Sequence, residues 1–318
     1  MSAGHPCTAS LSAMLRVGVI LACLTCAATA HAQGEGPRAY ELTPADSQAL
    51  NVYGMFSRGN ASFNPGSVVR GGVEIVVNGS IVEYAHGFAL AGEAGSLIVS
   101  LPFGEARRSV NSSSTMRAAS SSGIGDLQVT AAFGLAGSPA LDARDYESYR
   151  PRLAASLLTR LYSPTGVYDR NSPVNLGQNR WALQLGLPIA YYLGDTYLDP
   201  SLTSFELIPS VIAYGANDEP AQGNRSSQAA LMQLEGHITR NLNQAVWVSL
   251  DGLLIDGGET TTDGVSDRNR QRSFALGATV SVALGDTVST TLSYTDEVSR
   301  NNSGVRGHAI RVIAEFSL

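Results

Sequence analysis

The histidines are the first candidates for chemistry, because histidine is the side chain that most often acts as a general base. Residues 33–318 contain only His86, His237 and His308. His237 follows Glu235 by two positions, a spacing that places both side chains on one face of an extended strand. A hydrolase would also need an activated nucleophile, but the sequence contains no Gly-x-Ser-x-Gly elbow. We therefore expect no enzyme.

Metal chemistry has no better support. No two histidines have ligand spacing, and all three cysteines lie within residues 1–32. Asp169, Asn171 and Asn175 are spaced as in a calcium loop. However, that pattern requires a central glycine, which is missing, and a bidentate glutamate at the twelfth position, where Arg180 stands. We expect no metal and no cofactor.

The first 32 residues have the features of a secretory signal peptide. Arg16 precedes a short apolar run from Val17 to Leu24, and a small-x-small site ends at Ala32. The run is too short for a membrane-spanning helix. Met14 is an alternative translation start, since residues 1–13 add nothing to the signal. Residues 33–318 contain no cysteine, so their stability must come from a source other than disulfides.

The overall composition excludes two further classes. The 318 residues are 44% hydrophobic and 15% charged, with a net charge of −6. This balance leaves no broad basic surface, so we expect no nucleic-acid partner. No segment after the signal peptide offers ~18 consecutive apolar residues, the length that a helical span needs.

Two-residue periodicity dominates the rest of the chain. In residues 180–193, every second residue from Trp181 to Tyr191 is large and apolar. The last strand-like stretch alternates in the same way, with apolar Ile310 and Val312 on one face and Arg311 on the other. The polar faces are small, hydroxylic or charged. That alternation suits strands that lie between lipid and a wet lumen.

The pattern predicts an all-β fold, a transmembrane up-and-down antiparallel β-barrel of about twelve strands. We assign residues 1–32 to the signal peptide, 33–48 to a periplasmic N-terminal segment and 49–318 to the barrel. The predicted strands are 49–58, 73–90, 95–102, 124–135, 151–162, 180–193, 203–214, 228–239, 244–254, 273–283, 287–296 and 307–317. Residues 73–90 contain Asn78-Gly79 and form either one long strand or a hairpin.

The connections support the barrel independently. Tight turns are predicted at 193–195, 241–244 and 284–286, and long polar loops at 215–227, 255–272 and 297–306. Such alternation is typical of outer-membrane barrels, with turns in the periplasm and loops outside. The connection 136–150 is long for a turn. A β-sandwich or jelly roll is the alternative, but its strands would be shorter and its outward faces polar.

Four stretches carry a family resemblance. Residues 162–169 (Tyr-Ser-Pro-Thr-Gly-Val-Tyr-Asp), 175–181, 123–127 and 36–40 together resemble the outer-membrane transporter family named for the MetA-pathway of phenol degradation. The resemblance covers most of the chain after the signal peptide. It implies an outer-membrane transporter associated with the uptake of small hydrophobic or aromatic compounds.

Strand parity then selects two sets of candidate site residues. The charged and amide side chains predicted to line the lumen are Arg152, Arg160, Gln184, Glu206, Glu235, His237, Arg311 and Glu315. Such charges either set ion selectivity or brace the wall as ion pairs across the lumen. The residues predicted at the extracellular mouth are Tyr168, Asp169, Asn175, Asn179 and Arg180.

We expect a monomeric outer-membrane channel for passive uptake of small hydrophobic or aromatic compounds. A general porin for polar solutes and a plugged structural or adhesive barrel remain alternatives. The expected partners are outer-membrane lipid and lipopolysaccharide, the barrel-assembly machinery of a Gram-negative bacterium, and a small-molecule solute. All 21 basic residues are arginine, which fits either GC-rich coding or bidentate contacts with lipopolysaccharide phosphates.

Overall fold

The computed structural model describes residues 34–61, 68, 74–109 and 119–318. The predicted signal peptide lies outside these residues. The strands are β1 (Gln48–Gly59), β2 (Glu74–Leu90), β3 (Glu93–Ser109), β4 (Ala119–Ile124), β5 (Gln128–Ala136), β6 (Leu153–Tyr162), β7 (Ala182–Gly186), β8 (Ile189–Leu193), β9 (Thr203–Tyr214), β10 (Ser226–Gln228), β11 (Leu231–Asn241), β12 (Val246–Gly257), β13 (Thr260–Thr262), β14 (Val265–Ser266), β15 (Gln271–Ala283), β16 (Val288–Arg300) and β17 (Gly307–Ser317). One helix, α1, spans Ala143–Ser148.

Fourteen of these strands form a closed antiparallel barrel, and β10, β13 and β14 form a separate three-stranded sheet. The barrel strands follow one another around the barrel in chain order, and β1 closes against β17, from Ala49↔Ser317 to Gly59↔Gly307. Closure satisfies the backbone groups of both terminal strands, so no open edge remains. Two of the twelve barrel strands are interrupted: β4 with β5 form the fourth, and β7 with β8 form the sixth. The twelve-stranded barrel confirms the fold predicted from the sequence.

Proline explains one of the interruptions. Residues 180–193 were predicted as one strand, but Leu187 and Pro188 separate β7 from β8. Pro188 has no N–H to donate to the ladder. Its carbonyl still accepts from Ser156 N at 2.9 Å, so β6 continues across the break.

Residues 74–90 form a single long strand and not a hairpin at Asn78-Gly79. The turn lies instead at Ala91 and Gly92, which have φ of 53° and 86°. Two successive positive φ values are typical of the tight hairpin turns that match strand twist. Asn78 and Gly79 stay paired with Glu105 and Gly104 inside the ladder.

Long and short connections alternate around the barrel, which gives it a loop end and a turn end. The loop end carries residues 163–181, 215–230, 258–270 and 301–306, and the turn end carries Ala91–Gly92, 242–245 and 284–287. The prediction of a tight turn at 193–195 was wrong, because residues 194–202 connect β8 to β9. The long connection 137–152 contains α1, whose first turn is capped by Asp142 accepting from Asp145 N at 2.8 Å.

The outer wall is apolar. Outward residues such as Leu207, Leu234, Leu250 and Leu292 are exposed along the middle of their strands. Most inward residues on the same strands are polar, as the alternation predicts, with Ile208, Ile212 and Leu253 among the apolar exceptions. No helix within the described ranges is long and apolar enough to cross a membrane.

Candidate functional site: the lumen and its inner segment

The N-terminal residues lie inside the barrel. Residues 33–48 were predicted as a periplasmic segment, but Gly34–Ser47 run along the inner wall and reach β1 at the turn end. We call Gly34–Ser47 the inner segment, Gly34–Arg38 its tip and Leu42–Ser47 its root. The difference has a physical reason. The inward side chains of the lumen wall offer ionic and hydrogen-bonding partners to this short segment. Strand parity predicts which wall side chains point inward, but it does not predict what they bind.

A buried ion pair fixes the tip. Both Glu35 carboxylate oxygens lie 2.7 Å from the Arg160 guanidinium, Oε1 from Nη1 and Oε2 from Nη2. Tyr40 donates its hydroxyl to Glu35 Oε2 at 2.8 Å, and Arg160 Nε donates to Thr130 Oγ1 at 2.6 Å. Burial acts to raise the pKa of Glu35, but Arg160 and Tyr40 outweigh it and hold that pKa below its ordinary value. Glu35 is therefore an ionised anchor.

Two wall carboxylates bind the tip backbone. Glu235 Oε1 accepts from Glu35 N at 2.9 Å, and Glu235 Oε2 accepts from Gly36 N at 3.3 Å. Glu206 Oε2 accepts from Arg38 N at 2.8 Å. Hydrogen bonds from backbone N–H groups to an ionised carboxylate are stronger than neutral ones. The acidic residues of β9 and β11 thus bind the inner segment.

The side chain of Arg38 is held on the same wall. Its guanidinium donates to Thr239 Oγ1 at 3.1 Å and to Asn241 Oδ1 at 2.8 Å. The guanidinium carbon lies 4.9 Å from the centre of the Trp247 ring, within the range of a cation–π contact. Glu41 Oε2 lies 3.6 Å from Arg38 Nε. All these contacts lie towards the turn end of β11 and β12.

Glycine is required in the tip because the wall approaches its backbone closely. A Cβ built on Gly34 would lie 2.2 Å from Glu235 Oε2. A Cβ on Gly36 would lie 2.1 Å from Arg311 Nη2, and Gly36 has a φ of 95°. The side chain of any other residue at position 36 would meet both steric overlap and backbone strain.

Asp251 and His237 brace the wall behind Glu235. His237 Nδ1 lies 2.8 Å from Asp251 Oδ1, while Ser249 and Thr279 donate to Asp251 at 2.6 and 2.7 Å. His237 Nε2 faces Glu235 Oε2 at 3.5 Å. The two ring nitrogens therefore point at different carboxylates and not at a shared point. Within the described residues no cluster is arranged to hold a metal ion.

The root of the inner segment is packed by apolar groups. Leu42 is buried with Tyr192, Tyr197 and Leu202. Tyr146 of α1 stacks on Tyr197 with ring centres 5.1 Å apart. Backbone bonds add to this packing, with Ala45 N donating to Leu141 O at 2.7 Å and Gly87 N donating to Ser47 O at 2.8 Å. The connections at the turn end therefore clamp the root.

A large free space remains beside the inner segment. A cavity of about 890 Å³ extends from the turn end along β16, β17, β1 and β2. Its lining includes Asn51, Tyr53, Glu83, Thr291, Ile313 and Glu315. A smaller cavity of about 50 Å³ lies beyond the tip, beside Met55, Leu253 and His237. Pro37 and Arg311 line both, so the tip and Arg311 lie between the two cavities.

The loop 163–181 folds into the mouth of the barrel at the loop end. Val174 and Leu176 are buried against the inward residues Ile75, Val77 and Ala106. This packing places apolar loop residues on the inner face of β2 and β3.

Asp126 fixes this loop in place. It accepts from Gly166 N at 3.0 Å and from Gln178 N at 2.9 Å, which ties the two sides of the loop to the break between β4 and β5. An aspartate at a junction between strand and loop can organise the backbone in this way, because its carboxylate accepts from N–H groups of the turn.

Hydrogen bonds hold all five mouth candidates in place at the loop end. Asn179 Nδ2 donates to Asn217 Oδ1 at 3.0 Å, and Asn217 Nδ2 donates to the Tyr168 hydroxyl at 3.2 Å. Asn175 Oδ1 accepts from Asp169 N at 2.8 Å. Arg180 donates to Gln228 and lies over the Tyr214 ring. The five candidates thus order the loop 163–181 and join it to the neighbouring loop.

The lumen candidates differ in what they contact. Arg160, Glu206, Glu235 and Arg311 contact the inner segment directly, whereas Glu315 lines the larger cavity. Gln184 is buried, with Glu35 Oε1 at 3.4 Å from its Nε2, and His237 lies behind Glu235. Arg152 stands apart, because its guanidinium donates to Gly194 O at the turn end.

Sequence reasoning missed Glu35 and Arg38, the two charged residues of the tip. The sequence nevertheless contains a pattern that could have indicated these two residues. Residues 36–40 form one of the stretches that carry the family resemblance, and Gly34 and Gly36 flank Glu35. Glycines around a charged residue in a short polar segment indicate close backbone approach to a partner.

Comparison with known proteins identifies the family. The family model described as "Putative MetA-pathway of phenol degradation" matches residues 56–308. The chain belongs to this family. No curated protein matches the chain.

Among solved structures, the barrel is similar to the COG4313 outer membrane channel from Pseudomonas putida F1, with a TM-score of 0.74 and 20% identity over 89% of this chain and 99% of that one. The translocator domain of the autotransporter NalP from Neisseria meningitidis gives a TM-score of 0.46 and 12% identity over 97% of each chain. The first likeness establishes that the fold is that of an outer-membrane channel barrel.

Proposed function

We propose that this protein is a passive outer-membrane channel for small hydrophobic or aromatic compounds. The observation that carries the proposal is the free part of the lumen, a cavity of about 890 Å³ that lies beside the inner segment and is lined by β16, β17, β1 and β2. The apolar outer wall supports a position in the outer membrane, with lipid against the barrel.

The lining of the larger cavity supports aromatic solutes. Tyr53, Phe133, Trp247 and Ile313 contribute apolar surface, and Tyr53 is oriented by its hydroxyl bond to Glu83 Oε1 at 3.0 Å. Aromatic side chains offer flat surfaces on which a planar solute can stack. Membership in a family described by phenol degradation agrees with this chemistry.

A general channel for polar solutes is the second candidate. Ser281, Ser289, Thr291 and Glu315 form a hydroxylic and acidic strip along the same cavity. Such a strip would offer hydrogen bonds to small polar solutes and ions in place of water, without binding them tightly.

Single-channel recording in planar bilayers separates these functions. We expect measurable conductance in KCl and resolvable current interruptions when phenol is added, because an aromatic solute binds within the pore. Glycerol, a neutral polar solute, should give no interruptions. Interruptions by neither solute would favour the polar channel, and the absence of conductance would favour a plugged barrel. Protein-free bilayers with phenol are the control.

A further inference from the structure

Arg311 differs from the other arginines of the larger cavity. That cavity is lined by Arg38, Arg160 and Arg311. Arg160 forms a bidentate pair with Glu35, and Arg38 has Glu41 3.6 Å away. Among the described residues, Arg311 has no carboxylate oxygen within ion-pairing distance. Its contacts are neutral: Nη1 donates to Gly34 O at 3.0 Å and to Glu35 O at 3.4 Å.

The guanidinium of Arg311 also has unused hydrogen-bonding capacity. Its Nε is buried and has no hydrogen-bond partner among the described residues. Nε and Nη2 form the side of the guanidinium that can bind both oxygens of one carboxylate. A buried donor without a hydrogen-bond partner is costly, and an anionic ligand that bound Nε would remove that cost.

The surroundings of Arg311 fit an amphipathic anion. Met55, Leu253, Ala309 and Pro37 line the small cavity beside it, so apolar groups lie next to the cation. Nearby carboxylates are already bound: Glu235 by the tip backbone, and Glu83 by Asn51, Tyr53 and Ser100. These bonds reduce the competition that Glu235 and Glu83 offer to an incoming anion.

We propose that Arg311 is the specificity residue of the pore and binds the carboxylate of small aromatic acids as they pass the tip. The incoming carboxylate binds Nε and Nη2, and Gly36 of the tip, which packs against Nη2, shifts to admit it, while Nη1 keeps its bonds to the Gly34 and Glu35 carbonyls. A charge-assisted bond is roughly twice as strong as a neutral one, so the guanidinium favours the acid over a neutral solute. The ring packs on the apolar groups of the larger cavity, such as Tyr53 and Ile313, which Arg311 also lines. This inference rests on the proposed function and names its substrate class.

The test compares benzoate with benzyl alcohol, which match in size and differ in charge, as blockers of single-channel current at pH 7. We expect benzoate to reside about tenfold longer, which corresponds to about 1.4 kcal/mol. Arg311→Gln should remove this preference while leaving the interruptions by benzyl alcohol. Arg311→Lys should retain part of the preference for benzoate, since lysine keeps the positive charge but lacks the two parallel N–H donors of the guanidinium.

Arg152→Gln is the matched control, because Arg152 also donates to backbone carbonyls but lies at the turn end. It should keep the preference for benzoate. Equal residence of both solutes in the unaltered protein, a preference that survives Arg311→Gln, or an equal loss in Arg152→Gln would each overturn the inference. In those cases aromatic solutes still interrupt the current and the proposed function stands; no interruption by either solute would overturn that function as well.

Discussion

The walls formed by β11 and β17 share the same alternation but face different surroundings. Every inward residue of β11, from Leu231 to Asn241, is buried. The inward residues of β17, from Ala309 to Ser317, are half-buried or exposed. The inner segment covers the wall formed by β11. It leaves the wall formed by β17 facing the cavity; we call these the covered wall and the wet wall. Two strands with one sequence pattern thus have different surroundings: β11 binds the inner segment and β17 borders the larger cavity.

The comparison of the two walls shows that acidic residues have a different role on each of them. Glu235 and Glu206 on the covered wall bind backbone N–H groups of the tip, so their charge is used for docking. Glu315 on the wet wall has its side chain exposed to the cavity. A change of charge on the first wall should alter the position of the tip, and the same change on the second wall should alter ion selectivity.

Preventing the tip from docking against the wall should have the largest effect on the single-channel conductance. Gly36→Leu places a side chain where Arg311 Nη2 lies, so the tip cannot seat against the wall. We expect a severalfold rise in single-channel conductance, because β11 then becomes as wet as β17. Gly285→Ala is the matched control, since no atom lies within 4 Å of its Cβ position. Unchanged conductance in Gly36→Leu would mean that the tip does not narrow the pore.

Breaking the buried ion pair should have the next largest effect. Glu35→Gln leaves the Arg160 guanidinium without its bidentate carboxylate, and we expect docking of the tip to weaken by about 3 kcal/mol. Frequent transitions to a higher conductance level would report the undocked tip. Glu105→Gln removes the exposed partner of Arg107 and should leave the recordings unchanged. A single stable level in Glu35→Gln would show that the remaining contacts suffice.

Charge neutralisation on the wet wall should give a smaller and different effect. In Glu315→Gln, we expect the preference of the open pore for K⁺ over Cl⁻ to fall by about twofold, as the loss of one lining charge predicts. Reversal potentials in a KCl gradient measure this ratio. Glu206→Gln should change the docking of the tip and the conductance level instead. If both variants altered selectivity equally, the contrast between the two walls would not hold.

The smallest effect concerns pH. Burial raises the pKa of Glu41 to about 7, with Glu206 and Glu315 adding to the rise and Arg38 opposing it. The docked segment therefore binds this proton more tightly than the undocked chain, whose pKa is 4.5. Docking is favoured below that value and weakens as the pH rises through about 7.

Conductance levels recorded at pH 5 and pH 8 test this coupling. We expect more frequent transitions to the higher level at pH 8, and Glu41→Gln should remove the difference. A pH dependence that persists in Glu41→Gln would assign it to another group.

Several parts of the fold followed from local pattern. The alternation in residues 203–214, 273–283 and 307–317 predicted strands within one or two residues of their ends, because an apolar outer face and a polar inner face repeat along each of them. The turn at Ala91–Gly92 falls in the connection predicted between strands 73–90 and 95–102. The break at Pro188 was not predicted, because it depends on how β8 pairs with β6 across the intervening loop 163–181.

The candidate site was harder to predict from the sequence than the fold. Parity selected Arg160, Glu235 and Arg311 as inward residues, but it gave no reason for Arg160 to meet Glu35, which lies 125 positions away. The sequence by itself determined the barrel, because two-residue periodicity is a property of each strand. Only the tertiary structure decided which wall is covered, since that depends on charges brought together across the lumen.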